Sequence, residues 1–220
     1  MIFGVEKMQF NTVTLNEVSV GKGSYGIGAS AVEYNPQLYK YLRITDISEQ
    51  GTIDKNNLMS VDDKESSKYI LKNNDIVFAR TGNSTGKSYF YDINDGTLVY
   101  AGFLIKFSLD ESKINPKFMK YYTLSSEYKN WLKSISTGST RKNINAKMYG
   151  NMEIKLPARN QQDFLVKILS KLDEKIQLNN KINNNLEQLA ESIFTNWFVN
   201  CEPFKDENFI EHSWTNFVWT

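Results

Sequence analysis

The chain has 220 residues, with 26 Lys and Arg against 25 Asp and Glu, which gives a net charge of +1 at pH 7. Hydrophobic residues make up 40% of the chain and aromatic residues 13%, enough for a packed core, so a disordered chain is not expected. Cys201 is the only cysteine and His212 the only histidine, which excludes an internal disulfide and a His/Cys zinc site. No run of 18 apolar residues and no signal-peptide core occur, so the sequence predicts a cytoplasmic protein without a membrane partner.

Charge is unevenly distributed along the chain. Residues 1–157 carry 20 of the basic and 16 of the acidic residues, whereas the rest carry 6 and 9. Within the first part, residues 113–147 hold eight positive charges against Glu127 alone. A basic globular part followed by an acidic segment is typical of a phosphate-facing module on a scaffold. A solvated Lys-rich helix face would explain the charge equally well.

The first 157 residues predict a mixed α+β domain. Apolar alternation and β-branched residues predict a strand, or a strand followed by a turn, at 12–20, and strands at 39–47, 75–79, 88–93 and 98–109. Gly-rich or polar composition predicts a loop at 21–30, a surface excursion with one short helix at 54–68, and a loop at 80–87. Asn94-Asp95-Gly96 predicts a hairpin-type turn. A helix is expected over 116–133, and residues 141–157 predict a loop followed by a strand.

Residues 160–199 predict one uninterrupted helix of about 60 Å, with Asn160 as its N-cap. Its apolar residues are separated alternately by four and three positions, which is the spacing of a coiled-coil seam. The seam comprises Leu165, Leu169, Leu172, Ile176, Leu186, Ala190, Ile193 and Trp197, with Asn179 and Asn183 in the same register. Asn at such a position costs stability but fixes register. Because an isolated rod cannot bury this stripe, we expect a second copy or another subunit to cover it.

The loop at 82–88 (GNSTGKS) is similar to a nucleotide-binding P-loop, but only three residues separate its glycines where the motif needs four. The following residues are strand-like, whereas a P-loop must lead into a helix. A small nucleotide-binding enzyme therefore stays a weak alternative.

The catalytic tetrapeptide of DNA methyltransferases, N/D-P-P-Y/F, is matched only in part at Asn115-Pro116, and the sequence shows no other catalytic motif. A loop with Arg80 and Lys87 can instead contact a phosphate or a base edge, or be a plain hairpin connection.

Three loops carry the side chains that read DNA: hydroxyls, carboxamides and cations. We expect base contacts from Arg80, Thr81, Asn83, Ser84, Lys87, Arg141, Asn143 and Asn145, and further contacts from Lys22, Ser24 and Tyr25. We expect phosphate contacts from Lys117, Lys120, Lys142 and Lys147. Each loop alone is a weak signal, but three in one basic domain favour nucleic-acid binding.

The order of these segments resembles one half of the specificity subunit of type I restriction–modification systems. The matching stretches lie between residues 12 and 200: GSYGIGASAVEY, YLRITDI, DIVFARTGNSTGKSYFYD, INPKFMKYY, GSTRKNINAKMYGNMEIKLP, and the long segment ending in LAESIFTNWFV. The resemblance implies a target recognition domain at 1–157, a spacer helix at 158–199 and a C-terminal tail at 200–220. It also implies a chain without catalysis or cofactor of its own, which directs a methyltransferase subunit that binds S-adenosylmethionine and a restriction subunit.

Full-length members of that family carry two recognition domains and two antiparallel spacer helices, whereas this sequence has one of each. The hypothesis that follows is an antiparallel homodimer through the seam, which reads a bipartite DNA site with inverted halves. A fragment of a longer subunit and a coiled-coil adaptor that binds only protein are the alternatives.

Overall fold

The computed structural model describes residues 10–55, 57–136 and 143–202. The fold is α+β, as the sequence predicts, with a long C-terminal helix. The chain divides into two compact units, Met1–Leu169 and Ser170–Thr220. Among the described residues, no helix combines the length and the apolar character needed to cross a bilayer.

The described residues form ten strands in three sheets. Their bounds are β1 Phe10–Thr14, β2 Ser24–Tyr25, β3 Ala31–Val32, β4 Tyr39–Leu42, β5 Met59–Val61, β6 Asp75–Ala79, β7 Ser88–Phe90, β8 Leu98–Tyr100, β9 Leu104–Ser108 and β10 Glu153–Pro157. One sheet pairs β1 with β10, the second has the order β2-β9-β6-β7, and the third has the order β3-β5-β4-β8. Only the β4–β8 pair is parallel among these ladders.

The α-helices in the described ranges are α1 Pro116–Tyr122, α2 Ser126–Ser136, α3 Ala146–Gly150 and α4 Arg159–Phe194. A π-helical turn, Thr195–Val199, continues α4. Short 3-10 turns lie at Ile44–Asp46, Ser66–Tyr69, Gly82–Ser84 and Ile93–Asp95.

Four sequence-based predictions for residues 39–109 were too simple. The segment 98–109 is two strands, β8 and β9, that belong to different sheets and are separated by a turn at 101–103. Asn94-Asp95-Gly96 is a turn, but it does not close a hairpin, because β7 and β8 also lie in different sheets. The strand expected at 39–47 ends at Leu42, and the excursion at 54–68 contains β5. Periodicity in one segment does not reveal which neighbouring strand it will pair with.

The single helix expected over 116–133 is divided into α1 and α2. The Thr123 N–H bonds back to the carbonyls of Met119 and Tyr121, which ends α1. The Ser125 hydroxyl then accepts from the Tyr128 N–H at 3.3 Å, so it caps the start of α2. The predicted loop before β10 contains α3, which is capped by Asn145 through its side-chain oxygen and the Met148 N–H at 2.9 Å.

The long helix is confirmed, with two corrections at its ends. It begins at Arg159, so Asn160 lies inside the first turn and is not the N-cap. Its start is fixed instead by buried Gln162, which donates to the Pro157 carbonyl at 2.8 Å and accepts from the Asn115 N–H at 2.8 Å. At the other end the α-helical pattern stops at Phe194, and Asn200 N–H bonds to the Thr195 carbonyl at 2.8 Å in the π-helical turn.

The largest core cluster joins β6 and β9 to α1, α2, α3, β10 and the start of α4. Phe78 lies at its centre, stacked on Tyr149 with ring centroids 4.7 Å apart. A second cluster fills the space between the second and third sheets around Val77 and Leu98. Because all five residues of β6 are buried, this strand positions the loop that follows it at Arg80.

Candidate nucleic-acid interface

The Gly-rich segment 21–30 runs along the edge of the second sheet. β2 pairs with β9, with Ser24 opposite Lys106 and Tyr25 opposite Ile105. A Cβ at Gly26 would overlap the backbone of Tyr100 and Ala101, so only glycine allows this close approach. The segment therefore holds Tyr25 at the sheet edge, where 41% of its surface is exposed.

The loop 80–87 is a tight connection between β6 and β7. Two backbone hydrogen bonds close its base. The Gly86 N–H donates to the Ala79 carbonyl at 3.0 Å, and the Lys87 N–H donates to the Ser84 carbonyl at 2.9 Å. The Arg80 N–H donates to the carbonyl of Phe103 at 3.0 Å. Because the loop leads into strand β7 and not into a helix, it lacks the helix N-terminus that holds phosphate in a P-loop.

The segment that begins at Asn143 lies directly against this loop. Asn143 forms an antiparallel bridge with Thr81, and the Ile144 N–H donates to the Arg80 carbonyl at 2.8 Å. Ile144 is buried in the main core, which anchors the segment.

Three side chains from the three loops meet at one place, and we call Tyr25, Arg80 and Asn143 the recognition cluster. The Arg80 guanidinium carbon lies 4.9 Å from the centroid of the Tyr25 ring, and its Nε donates to Asn143 Oδ1 at 3.4 Å. The Tyr25 hydroxyl accepts from the Ala146 N–H at 3.1 Å. Within the part of the chain that the structure describes, the two terminal guanidinium nitrogens of Arg80 have no hydrogen-bond partner. They form the planar fork that can bond guanine O6 and N7 or a phosphate.

Around this cluster, Lys22, Asn83 and Lys147 have exposed side chains. Thr81 is half-buried. Lys147 follows Ala146, whose backbone N–H is hydrogen-bonded to the Tyr25 hydroxyl. The charge of Lys147 therefore lies next to the cluster along the chain.

Other predicted contact residues have partners within the fold. Ser24 Oγ lies 3.0 Å from the Tyr100 hydroxyl, and burial raises the pKa of Tyr100, which keeps that hydroxyl protonated. Ser84 is buried. Lys87 forms an ion pair with Glu49 at 3.2 Å. Asn145 uses its side-chain oxygen to cap α3, so that oxygen is engaged within the fold.

The N-terminal end of α1 lies beside the start of α4. Asn115, which caps α1, donates to Asp163 at 2.7 Å. Lys117 is exposed on this helix, and Lys120 Nζ lies 5.4 Å from the centroid of the Tyr121 ring. Arg141 and Lys142 lie outside the described residues.

Phe103 is a further candidate contact residue that the sequence alone did not indicate. This side chain is 60% exposed in the turn between β8 and β9, and its carbonyl accepts the Arg80 N–H. The available signal was Gly102, which interrupts the apolar run at 98–109 and marks a break between two strands.

The seam of α4 is largely uncovered in the single chain. Leu172, Ile176, Leu186 and Ile193 are between 45% and 58% exposed, and Trp197 is 51% exposed. Asn179, Asn183 and Ala190 are exposed as well. Leu165, by contrast, packs against the main core, and Leu169 is half-buried. Exposed apolar side chains aligned along one helix face mark a candidate interaction site.

Comparison with known proteins reveals similarity to one family. The sequence profile of the type I restriction modification DNA specificity domain matches residues 8–188. The chain is 29% identical over 143 residues to the HindI specificity subunit of Haemophilus influenzae, an alignment that covers 63% of this chain and 30% of that protein. It is 33% identical over 94 residues to the MjaIX specificity subunit of Methanocaldococcus jannaschii, which covers 43% of this chain and 22% of that protein.

Solved structures share the fold. The S subunit of a type I restriction–modification system from M. genitalium superposes with a TM-score of 0.57 at 16% identity, over 94% of this chain and 52% of that one. The HsdS subunit from Thermoanaerobacter tengcongensis superposes with a TM-score of 0.56 at 15% identity, over 96% and 54%. The chain thus spans about half the length of these structures, and its alignments cover less than a third of the curated relatives.

Proposed function

Because the chain belongs to the family of type I restriction–modification DNA specificity domains, we propose that it recognises a DNA sequence for partner subunits. The observation that carries this proposal is the meeting of Tyr25, Arg80 and Asn143 from three separate loops. Planar cationic and carboxamide groups held at one surface are the means by which proteins read base edges.

In this proposal the recognition cluster enters a groove of the duplex, and the terminal nitrogens of Arg80 bond one guanine. Asn143, Thr81 and Asn83 supply further polar contacts to bases. Lys22 and Lys147 contact phosphates on either side and set the position of the domain on the duplex. Ser24, Ser84, Lys87 and Asn145 support the loops through the internal contacts described above.

The chain itself carries out no catalysis in this proposal. It brings a methyltransferase subunit, which binds S-adenosylmethionine and flips the target base, to the selected site, and a restriction subunit joins that complex. The functional division we propose is a recognition domain at 1–157, a spacer helix at 158–199 and a tail at 200–220. The pairing of β1 with β10 supports the first boundary, because these strands close the domain at Pro157.

Two copies pair antiparallel through the seam of α4 and present two recognition domains to a bipartite site. The support is the exposed apolar stripe from Leu172 to Ile193, which is too long for an ordinary solvated helix face. Linking two weak half-site contacts raises the affinity for the complete site by effective concentration. Twofold symmetry makes the two half-sites inverted repeats.

The test is selection from a randomised duplex library with the purified full chain, alone and with the methyltransferase subunit. We expect enrichment of two inverted half-sites at a fixed spacing. Binding to the selected duplex should weaken as salt rises, because each phosphate contact releases counterions. A chain that enriches no sequence and shows no salt-dependent DNA affinity would instead be a protein-binding adaptor.

A further inference from the structure

The first unit contains an apolar groove at the base of α4. Its volume is about 390 Å³, and its walls include Phe10, Phe118, Tyr121, Tyr122, Leu165 and Leu169. The inner wall belongs to the main core, because Phe118 and Tyr122 are buried. The rim is open, because Phe10 is 51% exposed. We call it the basal groove; it lies away from the recognition cluster in sequence and shares no residue with it.

The second unit contains an exposed aromatic group at the far end of the same helix. Phe194, Trp197 and Phe198 are 59%, 51% and 68% exposed, and we call them the aromatic end. The rings of Phe194 and Phe198 lie with centroids 5.3 Å apart. Three large aromatic side chains in so short a segment are typical of an interface anchor.

The register of the seam relates the groove to the aromatic end. Its alternating steps of four and three are symmetric about Lys181. In an antiparallel pair centred there, Asn179 of one copy lies opposite the partner's Asn183, so the two polar positions meet each other. The same register sets Leu165, in the wall of the basal groove, opposite the partner's Trp197. A parallel pair would instead bring two basal ends together and leave both aromatic ends without a groove.

Charge along the helix favours the antiparallel direction as well. Residues 164–180 contain three lysines against two carboxylates, whereas residues 182–199 contain two glutamates and no Lys or Arg. Antiparallel pairing therefore brings a basic half against an acidic half, and parallel pairing brings like charges together.

We propose that the aromatic end of each copy binds in the basal groove of a second copy, with Trp197 as the inserted side chain. We call this contact the seat. This inference rests on the homodimer proposed above and names a contact between the copies that the helix seam alone does not supply. Burial of the exposed half of Trp197 removes apolar surface from water, and twofold symmetry makes the contact twice per dimer. Each seat joins the recognition domain of one copy to the helix of the other.

Register is tested by disulfide crosslinking of the full chain in a Cys201→Ser background. Copies carrying Leu169→Cys are mixed with copies carrying Ile193→Cys, which face each other in the inferred register. We expect a covalent heterodimer under mild oxidation, since a disulfide forms only when the Cα atoms come within about 7 Å. Efficient crosslinking of Leu169→Cys copies to one another would overturn the antiparallel register.

The seat is tested by Trp197→Ala, with the dimer dissociation constant measured by sedimentation. We expect that constant to rise at least about tenfold, because a buried Trp is a frequent hot spot. Leu178→Ala is the matched control: Leu178 is 57% exposed on the same helix but lies off the seam, and its loss should change the constant less than about twofold.

The groove side is tested by Phe10→Ala, which removes an exposed wall residue without opening the core. Combined with Trp197→Ala, it should add little to the single substitution, because both remove the same contact. Additive effects would overturn the seat. A chain that ends at Glu202 should dimerise like the full chain; if the dissociation constant changes instead, the chain's own last residues occupy the groove and the proposal fails.

These results separate the seat from the proposed function. If Trp197→Ala leaves the dimer intact while the chain still selects one DNA sequence, DNA recognition stands and the seat is wrong. If the wild-type chain sediments as a monomer, both the homodimer and the seat are wrong, and half-site selection by the single domain still tests DNA recognition.

Discussion

The guanidinium of Arg80 lies over the ring of Tyr25 at 4.9 Å, although Tyr25 belongs to β2 and Arg80 follows β6. The contact restrains a side chain that otherwise loses much rotamer freedom on binding. Asn143 restrains it from another direction through the bond to Nε. Arg80 is therefore held in place before any nucleic acid arrives, which lowers the entropic cost of a specific contact.

Substitutions at Arg80 distinguish a sequence-specific base contact from a nonspecific electrostatic contact with DNA. Arg80→Ala should weaken binding to the selected duplex by about 5- to 150-fold, the loss expected for one bidentate base contact. Arg80→Lys should lose nearly as much there, because Lys lacks the planar fork, but should bind scrambled DNA like the wild type. Fluorescence anisotropy at one fixed salt concentration measures both.

Lys64→Ala is the charge-matched control for Arg80, since it removes one positive charge from an exposed turn of the first unit. Equal losses for Arg80→Ala on the selected and the scrambled duplex would assign this residue to a phosphate.

Tyr25→Phe keeps the ring beneath Arg80 and removes the hydroxyl that accepts the Ala146 N–H. We expect the free energy of unfolding to fall by about 0.5–1 kcal/mol, because this hydrogen bond is exposed and water can replace it. DNA affinity should change little. Tyr25→Ala should lower DNA affinity further, because Arg80 then loses its support. Urea unfolding together with anisotropy distinguishes the two, and equal DNA affinity for both variants would contradict a supporting role for the ring.

Phe103→Ser tests the exposed aromatic that neighbours Arg80. Because 60% of this side chain is exposed, the free energy of unfolding should change by less than about 0.5 kcal/mol. Affinity for the selected duplex should fall severalfold if the ring packs on a base or a thymine methyl group. Exposed Ile93 offers a comparison, since Ile93→Ser removes apolar surface from another turn. The same DNA affinity for both variants would exclude Phe103 from the interface.

Two glycines in the 80–87 loop should respond differently to alanine. Gly82 and Gly86 both have positive φ, +71° and +92°, so either substitution costs about 1 kcal/mol of backbone strain. A Cβ at Gly82 meets only Ile44 Cδ1 at 3.9 Å, whereas one at Gly86 lies 2.5 Å from Leu132 Cδ1. Gly86→Ala should therefore reduce the free energy of unfolding by roughly 2–4 kcal/mol in total. Equal unfolding midpoints for the two variants would show that Leu132 moves aside freely.

Lowering the pH should destabilise the start of α4, because Asp163 becomes protonated. Hydrogen bonds from Asn115 and then Arg159 hold the pKa of this carboxyl below its usual range. The stabilisation is therefore fully present above the unfolded-state pKa of about 3.9 and is lost as the pH falls through the lower folded value. The wild type should be more stable than Asp163→Asn at pH 7, and the difference should shrink below about pH 4. A difference in unfolding free energy that is constant across pH would show that the charge of Asp163 does not matter.

The sequence predicted those elements whose own residues decide their structure. β6 was placed at 75–79 because a short apolar run between polar residues defines a buried strand, and α4 was found because its periodicity extends over many turns. β2 and β3 have two residues each, too few for any periodicity, and they exist because a neighbouring strand offers its edge. The break between α1 and α2 depends on Ser125, whose preference for capping competes with a continuous apolar face.

The candidate site was predictable as a set of loops but not residue by residue. Composition selected the segments of Tyr25, Arg80 and Asn143 as candidate contact segments, and the structure brings these three residues together; their role in DNA binding stays a prediction. It could not show that Ser84 is buried or that Lys87 pairs with Glu49, because those partners come from distant parts of the chain.

The antiparallel pairing of β1 with β10 sets Phe10 beside Pro157, so the part of the chain proposed as the recognition domain begins and ends at adjacent strands. Everything that forms the recognition cluster lies between these two strands, and α4 starts immediately after the second. A domain with such neighbouring ends behaves as a cassette. Under the proposed function, another domain closed by the same two strands could replace it on the helix and give the protein a new DNA target, while the surfaces of α4 stayed unchanged.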